Sequence, residues 1–154
     1  METRKQKRKI LPQSYFNRPT LAVARSLVGK YLIRENGKGT IAGKIIEVEA
    51  YVGTEDKACH ASKGRTARTE VLFGPPGIAY VYLIYGMYDM LNVVTERLEV
   101  PAAVLVRAIE VDGRLAKITD WRFHSNHVCS PRWQMGRHCS TPPEMGIVFP
   151  GLAI

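Results

Sequence analysis

The stretch Ile78–Asn92, IAYVYLIYGMYDMLN, decides the fold of this protein. It holds two runs of aromatic, aliphatic and β-branched residues on either side of Gly86-Met87, a pattern that predicts two antiparallel strands joined by a tight turn. We expect these strands at Ala79–Tyr85 and Asp89–Glu96. Four of the chain's seven tyrosines lie in the stretch. Tyr85 falls at the tip of the hairpin, where a side chain cannot lie deep in a core.

The same kind of pattern predicts three more strands, at Lys30–Arg34, Thr40–Tyr51 and Ala102–Val111. Alternation along the second of these places Ile45, Glu47 and Glu49 on one face of the sheet. The segment 52–77 is rich in glycine and mixed charges and is interpreted as mostly loop.

One helix is predicted before the strands. Asn17 can cap its first turn, and Gly29 can end it. Its apolar stripe consists of Leu21, Ala24, Leu27 and Val28. Because the strands follow one another without alternating helices, the order favours a mixed α/β (α+β) fold. We expect a single domain with a curved antiparallel β-sheet and a protruding β-hairpin.

The composition favours an anionic partner. The formal net charge of the 154 residues is +8, with 22 Lys and Arg against 14 Asp and Glu, and such a balance suits nucleic acid first and a membrane surface second. The three cysteines are an odd number, and no apolar run approaches the length of a membrane span. We therefore expect a cytoplasmic protein without a disulfide framework.

The two ends differ from the centre of the chain. Residues 1–10 are predicted to be a basic tail, and residues 112–154 an atypical, poorly ordered C-terminal tail that lacks helical or strand periodicity. Two histidines, His124 and His127, lie near Cys129 in this second segment. Their spacing fits no common zinc module well, so a zinc-dependent binding module is a distant alternative.

The candidate chemistry lies between these ends. Glu49 follows Glu47 near a strand end, where a carboxylate can act as a general base. His60 lies in the long loop, and a lone histidine there is more often structural than catalytic. Arg107 alternates with Ala103, Leu105 and Ile109, and an arginine on such a face needs an anion or a buried acceptor.

The tyrosines of the hairpin point to base recognition on a basic protein. Tyr80 and Tyr82 are predicted on one face of their strand and Tyr85 on the other. Inner-face aromatics can stack on a base, and an aromatic at an exposed turn can act as a wedge between bases. Neither the charge nor the aromatics would favour this interpretation alone.

At these residues the sequence closely resembles the alkyladenine (3-methyladenine) DNA glycosylase family. The motifs are IIEVEAYVGTEDKACHASKGRTARTEVLF, PPGIAYVYLIYGMYDMLNVV and AAVLVRAIE, preceded by YFNRPTLAVARSLVGKYLIR. The resemblance runs from about Leu11 to Glu110, so residues 11–111 are identified as an incomplete glycosylase-like domain. A segment resembling the family's G-P-G-K-L-C-x-A-L is not found, and residues 112–154 have the character of an out-of-frame tail.

The resemblance implies a role for each matching residue. Glu49 corresponds to the general base that activates water, and Arg107 to the arginine beside that water. Three others correspond to the residues that enclose the flipped base, namely Tyr51, His60 and Tyr82. Asn92 corresponds to the asparagine at the pocket floor that helps exclude normal purines. Tyr85 corresponds to the side chain that intercalates into DNA.

The resemblance also implies a function. It predicts a monofunctional DNA N-glycosylase of base-excision repair that hydrolytically excises 3-methyladenine, 7-methylguanine or hypoxanthine, with activity impaired by the missing C-terminal part. Its partner would be double-stranded DNA with damaged purines, bound by a nucleoid-associated monomer without a membrane, cofactor or metal. The alternative is a non-catalytic nucleic-acid-binding remnant of that family.

Overall fold

A single antiparallel sheet forms the framework of the protein, which a computed structural model describes for residues 10–35, 40–111 and 113–117. Its strands in these residues are β1 (Tyr31–Glu35), β2 (Thr40–Val52), β3 (Ala79–Ile84), β4 (Tyr88–Val94), β5 (Ala102–Val111) and β6 (Arg114–Lys117). The order is β1-β2-β5-β4-β3, and β6 pairs with β5 beyond the end of β4. The expected mixed α/β class with an antiparallel sheet and few helices is confirmed.

β6 is a strand that the sequence pattern did not predict. Arg114–Lys117 pairs with Ala108–Val111 after Gly113, which has φ +71°. Four residues are too few for alternation to be recognised. The candidate zinc ligands and the remainder of segment 112–154 lie outside the described residues, as does most of the basic N-terminal tail.

Two helices precede the sheet, α1 (Gln13–Phe16) and α2 (Thr20–Leu27). α2 buries Val23, Ala24 and Leu27 against the sheet, whereas Leu21 and Val28 of the predicted stripe are exposed. Gly29 follows the helix with φ +86°, a conformation that favours glycine and fits a helix end. Neither helix has the length and apolar character that a membrane crossing requires.

The predicted cap of α2 is wrong. Asn17 makes no side-chain cap; instead a carboxylate oxygen of Glu96 accepts hydrogen bonds from Thr20 N at 2.6 Å and Thr20 Oγ1 at 2.8 Å. Such a long-range partner cannot be read from neighbouring residues. A negative charge at this helix end also complements the helix dipole.

A bulge in β2 corrects the predicted faces of that strand. The pairing of β2 with β5 shifts twice between Ile45 and Val48, with Ile46 as the extra residue in β2 and Arg107 as the extra residue in β5, so alternation is broken in both strands. Ile45 is fully buried and belongs to the core under α2, against which Val48 also packs. Glu49 lies on the opposite face. Ile109, predicted to share a face with Arg107, is in the core under α2 as well.

The sheet is covered on both faces by apolar side chains. The cluster under α2 includes Phe16, Val23, Leu27, Val93, Val104 and Val106. The second cluster includes Cys59, Ala61, Leu72, Tyr80, Val94 and Ala103. Because neighbouring residues of β4 and β5 divide between the two clusters, the clusters lie on opposite faces. Segment 52–77 contributes to the second cluster and includes two short 3-10 helices, His60–Lys63 and Glu70–Phe73.

The β3–β4 hairpin projects from the sheet. β3 and β4 pair along their whole length, but β4 pairs with β5 only from Asn92 to Val94. The turn is closed by a 3.2 Å hydrogen bond from Met87 N to Ile84 O. Its central residues are Tyr85 and Gly86, both with positive φ, one residue earlier than predicted.

Candidate active site

Glu49 and Arg107 meet across neighbouring strands. An Arg107 guanidinium nitrogen donates a hydrogen bond to Glu49 Oε1, and Arg107 Nε lies 3.3 Å from Glu47 Oε1. Arg107 is the extra residue of β5 where its pairing with β2 shifts, between the partners of Glu47 and Val48. The bond and charge of Glu49 raise the pKa of Arg107. The predicted need of Arg107 for an anion is thus met by these two glutamates.

Tyr51 holds the second oxygen of the same carboxylate. Its hydroxyl donates a hydrogen bond to Glu49 Oε2, since residues two apart in a strand point to the same face. Burial raises the pKa of the Tyr51 hydroxyl, and the hydrogen bond and charge of Glu49 raise it further. Tyr51 therefore remains a donor at neutral pH, and Glu49 is fixed at both oxygens.

His60 packs against the tyrosines of β3. Its Nδ1 lies 2.9 Å from the Tyr80 hydroxyl, and its ring centre is 4.4 Å from that of Tyr82. Burial lowers the pKa of His60, and the charges of Arg68 and Lys63 lower it further. His60 is therefore a neutral ring at pH 7, able to share a hydrogen bond with Tyr80.

The loop that carries His60 is held at its start. Asp56 accepts hydrogen bonds from Val52 N at 3.1 Å and Ala58 N at 3.0 Å, and its backbone oxygen accepts one from Cys59 N. Cys59 is buried between the loop and the sheet. These contacts position the 3-10 helix in which His60 is the first residue.

Asn92 lies in β4 and is 2% exposed. Its Nδ2 donates to the backbone oxygens of Tyr80 and Met90, both at 3.2 Å. Because both amide hydrogens are used by the backbone, the side-chain oxygen is left as an acceptor. The backbone thus orients this amide firmly.

These side chains surround a small recess. Its lining consists of Tyr51, Ala58, Cys59, His60, Leu72, Tyr80, Tyr82, Asn92 and Ala103. The recess is partly open to solvent and has a volume of about 20 Å³, close to the space of one water molecule. A planar base would enter only if the aromatic rings moved apart.

The structure brings Glu49, Arg107, Tyr51, His60, Tyr82 and Asn92 to one site and places Tyr85 elsewhere. Tyr85 is 80% exposed at the hairpin tip, as its position before Gly86 predicts. Tyr80 and Tyr82 share a face, with ring centres 5.6 Å apart.

Two contacts of the site were not predicted from the sequence, since Tyr80 was identified only as an inner-face aromatic and Arg68 was not singled out. Tyr80 is the hydrogen-bond partner of His60, and Arg68 places its guanidinium carbon 5.4 Å from the Tyr82 ring centre. The basic run Gly64–Arg68 is the only sequence signal for Arg68, and a charged run is usually a solvated surface. The described residues contain no group of three or more side chains arranged to hold a metal ion.

An open antiparallel sheet with few helices, which carries a carboxylate–arginine pair beside an aromatic recess, places the protein in the α+β class. The chain belongs to the methylpurine-DNA glycosylase (MPG) family, whose model matches residues 14–139. That match extends beyond Glu110, where the resemblance by motifs stops.

Curated relatives agree with this family. A protein of Methanocella arvoryzae is 61% identical over 66% of this chain and 50% of its own length. One of Myxococcus xanthus is 58% identical over 67% of this chain and 54% of its own length. Both carry the name "Putative 3-methyladenine DNA glycosylase". The chain spans about half the length of the curated relatives it matches.

Proposed function

We propose that this protein is a DNA glycosylase that removes damaged purines by hydrolysis in base-excision repair. One observation carries the proposal: Glu49, held by Arg107 and Tyr51, lies beside a recess walled by Tyr51, His60 and Tyr82. A carboxylate next to an aromatic slot provides a base for water and a binding place for a ring. Family membership and the net charge of +8 support DNA as the partner.

The target nucleotide would leave the duplex to reach this recess. Extrusion costs a few kcal/mol, least for a damaged and weakly paired base. Tyr85 would fill the gap, because it is exposed at the end of a projecting hairpin. The extruded base would separate the rings and stack on Tyr51 and Tyr82, each stacking contact contributing about 1–3 kcal/mol.

The reaction needs one water and one base. Glu49 accepts a proton from a water molecule while the water oxygen forms a bond to C1′ of the sugar. The glycosidic C–N bond breaks, and its electron pair leaves with the purine. Each carboxylate oxygen can accept a second hydrogen bond, so Glu49 can bind the water while it keeps Arg107 and Tyr51.

The charge of the leaving base determines whether a proton must also be supplied. A purine alkylated at a ring nitrogen is cationic and departs as a neutral molecule. Hypoxanthine is neutral and requires a proton as it leaves. We propose 3-methyladenine, 7-methylguanine and hypoxanthine as the lesion class. Asn92 would contribute to discrimination, since the backbone fixes its amide through Nδ2 and its carbonyl oxygen can accept a hydrogen bond from a base at the floor of the recess.

The proposed enzyme is monofunctional. No lysine is among the side chains that line the recess in the described residues, so no amine is placed to form a covalent imine with the sugar. Base release would leave an abasic site and an intact strand. The protein would act as a monomer.

The second candidate is a non-catalytic DNA-binding protein that retains the basic surface and the hairpin. The small volume of the recess favours it, because a purine does not fit without rearrangement. The two candidates differ in whether Glu49 activates a water molecule that releases the base.

Single-turnover base release separates them. The whole chain is mixed in excess with a duplex that carries one hypoxanthine, and separately with a methylated duplex. Glu49→Gln is expected to slow release by about a hundredfold or more while it keeps lesion binding. Glu47→Gln is the matched control, since Glu47 also contacts Arg107 but makes no contact with Tyr51 among the described hydrogen bonds. A cooperatively melting protein that binds lesions without releasing bases would establish the non-catalytic candidate.

A further inference from the structure

Arg68 lies beside the recess and takes no part in the proposed reaction. Its guanidinium carbon is 5.4 Å from the centre of the Tyr82 ring, within the range of a cation–π contact. Tyr82 is a ring on which the flipped base is proposed to stack. A positive charge on an exposed side chain thus lies beside Tyr82, one of the rings that line the recess.

The backbone that carries Arg68 is firmly held. Thr69 is 3% exposed, and its hydroxyl accepts a hydrogen bond from Thr66 N at 2.8 Å and donates one to Gly64 O at 2.9 Å. Thr69 N and Glu70 N also bond to Thr66 O. These contacts fix the Cα atom of Arg68 relative to the recess, so the long side chain has a defined starting point.

No carboxylate neutralises Arg68 among the ion pairs of the described residues. Arg65 in the same loop differs, since it pairs with Glu70 and Glu99 and lies over the Phe73 ring. The charge of Arg68 acts on the recess itself. After the larger effect of burial, it lowers the pKa of His60 further, and it opposes the rise that burial causes in the pKa of Tyr82. For Tyr80 the rise in pKa caused by burial is opposed first by hydrogen bonding from Arg68 and then by its charge.

We propose that Arg68 is a specificity residue that favours neutral over cationic purines in this recess, an inference that rests on the proposed function. An alkylated purine stacked on Tyr82 would bring its positive charge within several ångströms of the guanidinium and be repelled. Hypoxanthine carries no charge, and its O6 and N7 atoms can accept hydrogen bonds from an arginine, as they do in guanine. The aromatic walls attract a cationic base, and Arg68 offsets that attraction.

Binding to two matched duplexes tests the proposal. They have one sequence and carry either hypoxanthine or 7-methylguanine, and affinities are measured at two salt concentrations in the Glu49→Gln background so that base release does not interfere. Arg68→Gln is expected to lower the ratio of hypoxanthine affinity to 7-methylguanine affinity about threefold to tenfold. Arg68→Lys retains the charge and is expected to retain most of the ratio. Arg65→Gln, the control in the same loop, is expected to leave the ratio unchanged, and melting curves verify that every variant folds.

Two outcomes would overturn the proposal. An unchanged ratio in Arg68→Gln would show that the recess does not sense this charge. An equal loss of affinity for both duplexes, with a salt slope lower by about 1, would make Arg68 a phosphate contact instead. Absence of base release by the chain with Glu49 would refute the proposed function alone, since the affinity ratio is independent of release. Absence of lesion-specific binding in every variant would refute both.

Discussion

The Tyr51 hydroxyl donates a hydrogen bond to Glu49 Oε2, so a wall of the recess is joined directly to the proposed general base. In the proposed mechanism, this link makes Tyr51 a positioning residue as well as a stacking surface. Removing the ring and removing the hydroxyl should therefore have different effects.

Tyr51→Phe keeps the ring and removes the hydroxyl. We expect lesion affinity to stay within about twofold, since stacking resides in the ring, and single-turnover release to slow about tenfold to a hundredfold as Glu49 loses its fixed orientation. Tyr51→Ala should instead weaken lesion binding by about 1–3 kcal/mol. Equal release rates for Tyr51→Phe and the unmodified protein would show that Arg107 alone orients the carboxylate.

Tyr85→Gly should separate stability from function. Tyr85 has φ +53°, a conformation that costs a non-glycine residue about 1–2 kcal/mol. Glycine should therefore raise the free energy of unfolding by up to about 1 kcal/mol in urea titrations, while lesion affinity falls with the lost side chain. Tyr85→Ser is the control, because it removes the ring but retains the backbone strain. A stabilised Tyr85→Gly with undiminished lesion affinity would exclude intercalation by this residue.

Glu96→Ala should destabilise the protein. The variant removes the carboxylate that accepts hydrogen bonds from Thr20 N and Thr20 Oγ1, and we expect a loss of about 1–2 kcal/mol in the free energy of unfolding. Glu96→Gln keeps an acceptor oxygen and should lose less. Asn17→Ala, at the residue predicted to cap the helix, should leave stability unchanged. A larger effect of Asn17→Ala than of Glu96→Ala would contradict the assigned cap.

The stability of the protein should depend on the protonation of His60. Its pKa is lowered by burial in the folded state, whereas the unfolded chain titrates near the ordinary value of about 6.5. Between these two values the unfolded state binds more protons, so stability is full above about pH 6.5 and is lost as pH falls through the window. Urea titrations from pH 8 to pH 5 measure this loss. His60→Gln should flatten that part of the profile, and an unaltered slope would assign the pH dependence to other groups.

Local sequence patterns correctly predicted those elements of the fold that neighbouring residues determine. The hairpin around Gly86 and the helix end at Gly29 follow from conformations that glycine favours, and a run of aliphatic and β-branched residues identified β5. The bulge in β2 was not predictable, because Ile45 and Glu47 keep a regular alternating pattern while the partner strand sets the register. The cap of α2 was missed for a related reason, since Glu96 is 76 residues from Thr20.

The site was predictable only as separate residues. The resemblance pointed to Glu49, Tyr51 and His60, but the contact of Arg107 with both glutamates depends on pairing between β2 and β5. Arg68 is a surface residue by any local pattern. Its position near the Tyr82 ring results from the folding of a loop onto the sheet, and neighbouring residues in the sequence do not predict that contact.

The hairpin meets the rest of the sheet at a narrow base, and Asn92 is part of that base. Asn92 pairs with Tyr80 in β3 and with Leu105 in β5, and its amide also binds the Tyr80 backbone. The projecting hairpin is therefore connected directly to the floor of the recess. Displacement of Tyr85 by stacked bases would also displace Tyr80 and Asn92. Insertion of the hairpin tip into the duplex would then change the shape of the recess that receives the base.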